Sequence, residues 1–337
     1  MKVSCPFLTI KQMFHSFLSR IVKFRIFGKS PMNAYLRLNR RIWRHLPSSL
    51  TKLQPLLSYG NFLQTLVRLR STRTSNFGTF FLRNRPQLEL MRRLSDEKPN
   101  GCPLKIAVVG CSKGAEVYSI LWTIRSARPD LTIIMHAVDI SKEALEFAQK
   151  GVYSLITPEL ANVPIFERMS EKEMREMFDR NGDKVKIKSW IKEGINWHLG
   201  DAADPEIIND LEPQDIVVAN NFLCHMDPVD AEGCLRNIGR LIRSGGYLFV
   251  SGIDLDVRAK VARDLNWKPI FDLMEDIHDG DISLRRDWPW EWWGLEPFNK
   301  RKPDWKVRYA SVFRLKGTDF IQKYDAVERH FAHKTHG

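Results

Sequence analysis

Four side chains suited to holding a polar ligand stand at or just past the ends of apolar runs. Glu116 follows the glycine-bearing stretch KIAVVGCSKGA, Asp139 follows TIIMHAV, Asp201 follows INWHLG and Asn221 follows DIVVAN. A carboxylate at such a place accepts hydrogen bonds from ligand hydroxyl or amino groups, attracts a cation and repels a diphosphate. Asp139 lies 25 positions beyond Gly114, close to the about 20 that separate a glycine turn from a ribose-binding acid. An acid there also suits capping the helix that begins at Ser141, and Asp201 equally suits a turn. Ile140 and Ala202, beside these acids, are expected to face the same ligand.

The turn itself narrows the ligand. An apolar strand stops at Gly110 and a helix starts near Ala115, which brings backbone N–H groups close to a ligand, with Gly110 and Gly114 as close-approach positions and Ser112 between them. Lys113 precedes Gly114 instead of following it, and no Ser or Thr stands where a phosphate-bound Mg²⁺ would be held, so the turn is not a P-loop. The full G-x-G-x-x-G dinucleotide pattern is also missing. Glu116 in the first helical turn fits a cationic ligand such as the ammonium and sulfonium of S-adenosylmethionine.

The elements that position these residues alternate. Strands are expected at 105–109, 132–138, 195–199, 215–220 and 247–250, with helices from Ala115, from Lys142 behind the N-cap Ser141, and from Pro228 to Ile242. Such alternation predicts an α/β fold, a mostly parallel sheet with helices on both faces, whose ligands bind outside the carboxyl ends of the strands. Two closing strands are expected within Asn266–Phe271 and Val307–Leu315.

These residues also carry a family resemblance. Ser112-Lys113-Gly114-Ala115-Glu116-Val117-Tyr118-Ser119, then Asp139-Ile140-Ser141, then Asn220-Asn221-Phe222-Leu223-Cys224-His225-Met226-Asp227 resemble the CheR-type S-adenosylmethionine-dependent methyltransferases, enzymes that methylate glutamate carboxylates of chemotaxis receptors. The family's S-x-G-E-E-x-Y-S is kept except for Ala115 at its first Glu. Asn76-Phe77-Gly78-Thr79-Phe80-Phe81 resembles the N-L-T-x-F-F-R segment that closes over the cofactor, with Leu82 where the Arg belongs and Arg83 or Arg85 as substitutes. In R-N-V-x-I-Y-F-D, Asn221 and Asp227 are kept and His225 replaces the tyrosine. The resemblance covers roughly residues 74–253 and implies a Rossmann-like class I methyltransferase sheet preceded by a small basic helical domain. It also implies S-adenosylmethionine as cofactor, with Glu116 near the methionine amino group, Asp139 on the ribose, Asp201 near the adenine and Asn221 near cofactor or acceptor.

Methyl transfer from a sulfonium is an in-line displacement that needs alignment and exclusion of water more than acid/base groups. A carboxylate acceptor is already ionised. A hydroxyl or ammonium acceptor must lose a proton, and His225 is then the candidate base, with Asn221 the second catalytic candidate. The competing reading of His225 is a residue that starts the following helix. His136 and His198 lie inside strands and read as packed residues.

Charge is uneven. The chain of 337 residues carries +12, yet residues 1–95 hold 18 Lys and Arg against the single acid Glu89, so the remainder is net acidic. Phe7, Ile10, Phe14, Phe17, Leu18 and Ile21 recur at helical spacing, suiting an amphipathic helix that lies on an anionic membrane surface or docks on the catalytic domain. Helices are expected from Pro31 to Arg44 and from Tyr59 to Arg70. No stretch of 18 apolar residues suggests a membrane span, and Lys11 breaks the first apolar run too early for a signal peptide. The five cysteines form no C-x-x-C pair, and neither they nor His330, His333 and His336 make a metal pattern, so no metal is expected.

The expected domains are 1–98, helical and basic; 99–318, the methyltransferase domain with an insertion at about 272–306; and 319–337, a terminal helix and tail. The insertion is dense in tryptophan, and Trp290 and Trp293, with Arg83, are candidates for the acceptor wall. The other reading is a small core packed on the N-terminal helices. The chain is thus expected to be a cytoplasmic methyltransferase, with membrane association as a variant. Its partner would be a protein or small-molecule acceptor, with an anionic membrane or acidic partner for the N-terminal helices and nucleic acid not favoured. Two alternatives stand beside this: a non-catalytic cofactor-binding module, or a protein whose basic N-terminal half binds membrane or nucleic acid.

Overall fold

The computed structural model describes residues 18, 30–47, 50, 53–68, 77–99, 101–160, 164–281, 289–290 and 296–315. The Phe7 to Ile21 stripe apart from Leu18, Asn76, Trp293 with residues 282–288 and 291–295 of the insertion, and the terminal helix with its histidines lie outside these residues.

Among the described residues the N-terminal part forms the helices α1 (Pro31–Arg44), α2 (Gln54–Arg68) and α3 (Arg85–Asp96). α1 has its expected bounds, with Pro31 at its start where a missing N–H costs nothing. α2 begins five residues earlier than Tyr59, because Pro55 in its first turn starts the helix and Leu57 N bonds Leu53 O at 2.8 Å. Asn84 caps α3 by accepting from Gln87 N.

The strands follow as β1 (Leu104–Val109), β2 (Ile133–Asp139), β3 (Val152–Ser154), β4 (Phe178–Asn181), β5 (Lys184–Ile187), β6 (Ile195–Leu199), β7 (Gln214–Asn220), β8 (Ile242–Ser251), β9 (Lys268–Pro269) and β10 (Val312–Arg314). Between them lie α4 (Ala115–Ala127), α5 (Lys142–Lys150), α6 (Glu171–Met177), α7 (Ser189–Lys192), α8 (Pro205–Asp210), α9 (Pro228–Gly239), α10 (Leu255–Asp264), α11 (Met274–Gly280) and α12 (Trp305–Arg308).

Among the described residues the main sheet has seven strands in the order β6-β2-β1-β7-β8-β10-β9. Neighbours from β6 to β8 pair parallel, while β10 runs antiparallel to both β8 and β9. This is the doubly wound α/β sheet expected from the alternation. Strand β7 is buried at all seven positions because helices cover both faces. β1 splits its side chains accordingly. Ile106 and Val108 join the layer with α3 and α4, and Ala107 and Val109 join the layer with α9 and α10. Since β1 is flanked by β2 on one side and β7 on the other, the chain reverses its winding there and a crevice opens at the carboxyl ends.

Three elements differ from the sequence reading. The helix that opens at Pro228 ends at Gly239 and does not reach Ile242, which belongs to β8. Val307 and Arg308 do not belong to a strand: their N–H groups bond Asp304 O at 3.0 and 2.9 Å, closing α12, and β10 starts only at Val312. A second, three-stranded antiparallel sheet, β3-β5-β4, was not expected. α3 packs on α4 and α11. Among the described residues no helix is long and apolar enough to cross a membrane.

Candidate functional site

The crevice beside β1 holds a cavity of about 940 Å³, counted with its open mouth. It is lined by Gly110, Ser112, Glu116, Asp139, Ile140, Asp201, Ala202, Asn221, Arg83 and His225, so ten of the proposed residues meet there. Phe77, Gly78 and Thr79 also line it.

Three residues of the turn after β1 adopt left-handed backbone: Gly110 (φ 73°), Ser112 (φ 48°) and Gly114 (φ 81°). A Cβ on Gly110 would sit 2.7 Å from the Phe222 ring, so close approach requires glycine there. Gly114 has a different role from the one expected. It does not line the cavity, and a Cβ on it would meet Ala148 at 3.0 Å and Tyr118 at 3.1 Å, so it permits α4 and α5 to pack.

Asp139 ties the two turns together. Its Oδ2 accepts from Ser112 N at 2.7 Å and its Oδ1 from Ser141 N at 2.9 Å. The first bond holds Ser112 in a conformation that costs a non-glycine residue about 1–2 kcal/mol. Burial pushes the Asp139 carboxyl up, against these backbone donors. Two bonds occupy two of the roughly four acceptor positions of a carboxylate, which leaves capacity for ligand hydroxyls. Ser141 Oγ itself caps α5 through Ala144 N at 3.2 Å.

Glu116 is held by a polar ladder that the sequence did not reveal. Asn220 Nδ2 donates to Glu116 Oε1 at 2.7 Å and to Gln87 Oε1 at 2.9 Å, while Ser251 Oγ donates to Asn220 Oδ1 at 2.8 Å. Both amide hydrogens of Asn220 are thereby used, and its orientation is fixed from α3 on one side and β8 on the other. Burial pushes the Glu116 carboxyl up; Asn220 and the Arg83 charge act against it. An enclosed carboxylate of this kind gains most from a cationic ligand.

Asp201 serves its turn and the cavity at once, its Oδ1 accepting from Ala203 N at 2.9 Å. Asn221 stands just past β7 with φ 62°, its N–H bonded to Ser251 O at 3.0 Å and its buried Oδ1 without a hydrogen-bond partner. Gly252 enforces this position, since a Cβ there would lie 2.5 Å from Asn221 Cα. His225 closes a 3-10 turn (Leu223–His225) and does not start the next helix; Asp227 caps α9, accepting from Val229 N and Asp230 N.

Of the two arginines proposed to replace the displaced one, Arg83 reaches the cavity and Arg85 pairs with Glu173 at 2.6 Å outside it. Leu82 is buried in the core, 1% exposed, with its N–H on Ser119 Oγ. Arg83 pairs with Asp281, which also accepts from Arg168 Nη1 at 2.9 Å. The cavity wall therefore carries three carboxylates, Glu116, Asp139 and Asp201, against one arginine already matched by Asp281.

Trp290, expected at the acceptor wall, is elsewhere. It packs with Leu36, Leu63 and Leu66 in the N-terminal core and meets Trp43 edge to face at 6.3 Å. A large apolar ring gains more in that core than at a hydrated cavity mouth. His136 and His198, read as packed, are half-buried neighbours with ring nitrogens 3.0 Å apart across β2 and β6. Among the described residues no group of three or more metal-ligating side chains is found.

The family model for the CheR methyltransferase, SAM binding domain, matches residues 77–255. A curated relative, an uncharacterized 104.1 kDa protein in the hypE 3'region of Rhodobacter capsulatus, is 24% identical over 241 residues, covering 68% of this chain and 24% of that protein. The chain thus spans about a quarter of that relative's length. Magnesium protoporphyrin IX methyltransferase from Synechocystis, solved with bound SAM, is 15% identical, with a TM-score of 0.32, 69% of this chain and 82% of that one covered. TehB from Haemophilus influenzae is 13% identical, with a TM-score of 0.28 and coverages of 49% and 39%.

Proposed function

The chain belongs to the CheR methyltransferase family, and from that premise we propose that it transfers a methyl group from S-adenosylmethionine to an acceptor that enters beside His225. The observation that carries this reading is the convergence of Glu116, Asp139, Asp201 and Asn221, from the ends of separate elements, on one cavity. The donor set suits the cofactor's chemistry: acids for an ammonium, two hydroxyls and an amino group, and no cluster of cations for phosphates.

When bound, the cofactor supplies an electrophilic methyl group on a sulfonium. The protein's part is to hold and align. Glu116, oriented by Asn220, would take the ammonium; Asp139 the ribose hydroxyls; Asp201 the adenine amino group. Phe77, Gly78 and Thr79 line the same cavity and would limit access of water. His225 is the histidine that lines the cavity among the described residues, and it would accept the proton of a hydroxyl or ammonium acceptor. A carboxylate acceptor would need no such step, so the acceptor class is legible from how the rate depends on His225.

Calorimetry with S-adenosylmethionine and S-adenosylhomocysteine tests the reading. Binding is expected, weakened about tenfold or more, ~1.4 kcal/mol, by Asp139→Ala. Absence of binding to either compound would overturn the proposal. Binding without formation of S-adenosylhomocysteine on any acceptor would instead favour a non-catalytic module.

A further inference from the structure

We propose that helix α1 docks on an anionic membrane surface, with Leu38 and Ile42 as its apolar contact and Arg37, Arg41 and Arg44 as its headgroup contacts. The inference is independent of the cofactor reading.

α1 has two apolar aspects, of which the fold uses one. Leu36, 5% exposed, together with Met32 and Trp43 packs toward Leu63, Leu66 and Trp290. Leu38 and Ile42, four residues apart and so on one stripe, are 59% and 54% exposed, and Ala34, one turn earlier, is exposed as well. Tyr35 borders the stripe at 37% exposure, its hydroxyl on Tyr59. Exposed Leu and Ile at i, i+4 on a helix that already buries another face are not explained by packing.

Beside the stripe runs a row of charge. Arg37, Arg41 and Arg44 are all exposed and, spaced by four and three residues, lie together on the helix surface. Among the described residues none of the three has a hydrogen bond or ion pair, and α1 contains no acid. Three cations unmatched among the described residues, next to an apolar stripe that those residues leave exposed, complement a surface that is anionic at one depth and apolar just below it. A bilayer with anionic headgroups has that profile. A nucleic acid would satisfy the arginines through its phosphates and leave Leu38 and Ile42 in water. A symmetric contact with a second copy would bring the stripe and its arginine row against an identical row, with like charges opposed.

The test is flotation of the full chain with vesicles of phosphatidylcholine alone or mixed with phosphatidylserine. Partitioning is expected to the mixed vesicles only and to weaken with salt. The triple variant R37E/R41E/R44E is expected to lose about tenfold or more, because each basic residue near such a surface contributes substantially. L38Q/I42Q is expected to lose a comparable factor with unchanged circular dichroism, melting temperature and cofactor affinity, since these side chains are already in water. No partitioning, or partitioning unaffected by either variant, overturns the proposal. So does retention on an oligonucleotide duplex that matches vesicle binding and ignores L38Q/I42Q, or a dimer in solution that those two substitutions dissociate.

Discussion

Glu116 shows how much of the site depends on a single side chain's surroundings. Its carboxyl is pushed up by burial, with Asn220 and Arg83 opposing, so it takes up a proton at a higher pH than an exposed glutamate. A neutral Glu116 cannot pair with an ammonium. Affinity for S-adenosylmethionine is therefore expected to be full above the raised value and to fall as pH drops through it, starting above the usual glutamate range. Glu116→Gln should weaken binding at neutral pH and flatten that dependence; isothermal titration across pH measures both. A Glu116→Gln variant that keeps the wild-type profile would assign the pH dependence to another group. At this scale the sequence supplied residue types and spacing, which sufficed for Asp139 and Glu116. It did not supply Gln87, whose amide reaches Asn220 across 133 positions of sequence.

Elements decide where such residues point. Asn221 follows β7, yet its placement depends on β8, through Ser251 O and through the bare Cα of Gly252. Gly252 has φ 57° and a Cβ there would meet Asn221 backbone, which cannot swing aside. Gly252→Ala is expected to cost about 1–3 kcal/mol of stability and to weaken cofactor binding by displacing Asn221. Urea unfolding and calorimetry on the same variant separate the two effects, and a variant with wild-type affinity would mean that Asn221 does not touch the ligand. The β4–β5 hairpin, which the sequence reading did not anticipate, leaves only a turn signal in the sequence. Gly182 and Asp183 form a two-residue connection with Gly182 at φ 59°, the first central position of a tight hairpin turn, between FDRN and KVKI. Its strands are short, and a single apolar side chain is buried in β4, so the alternation that marks a strand is faint.

Across the whole molecule, the end of the tryptophan-rich insertion and the segment that follows it are tied together by one buried carboxylate. Glu296, 3% exposed, accepts from Lys302, from Arg308 at 2.7 and 2.9 Å and from Tyr309 at 2.7 Å. Burial alone would raise its carboxyl, but the Arg308, Lys302 and Tyr309 bonds outweigh it and hold the group at about 2. Its folded value lies below the unfolded one, so its contribution is present above the usual glutamate range and is lost as pH falls toward 2. Glu296→Gln should therefore cost about 3 kcal/mol at neutral pH, a difference that shrinks as denaturation is repeated at lower pH. An equal loss at all pH values would point to packing instead of charge. The alternation of apolar runs and helical segments determined the α/β class, and the turn, the acids at strand ends and the kept motif residues determined the family, because these are local patterns that survive without knowledge of the partners. Tertiary structure alone decided that Gly114 serves helix packing, that Trp290 joins the N-terminal core, that Arg83 rather than Arg85 reaches the cavity, and that Leu38 and Ile42 of α1 stay exposed among the described residues. Each of those depends on which distant surface a side chain meets, and burial against distant surface is a property of the folded chain that no sequence window contains.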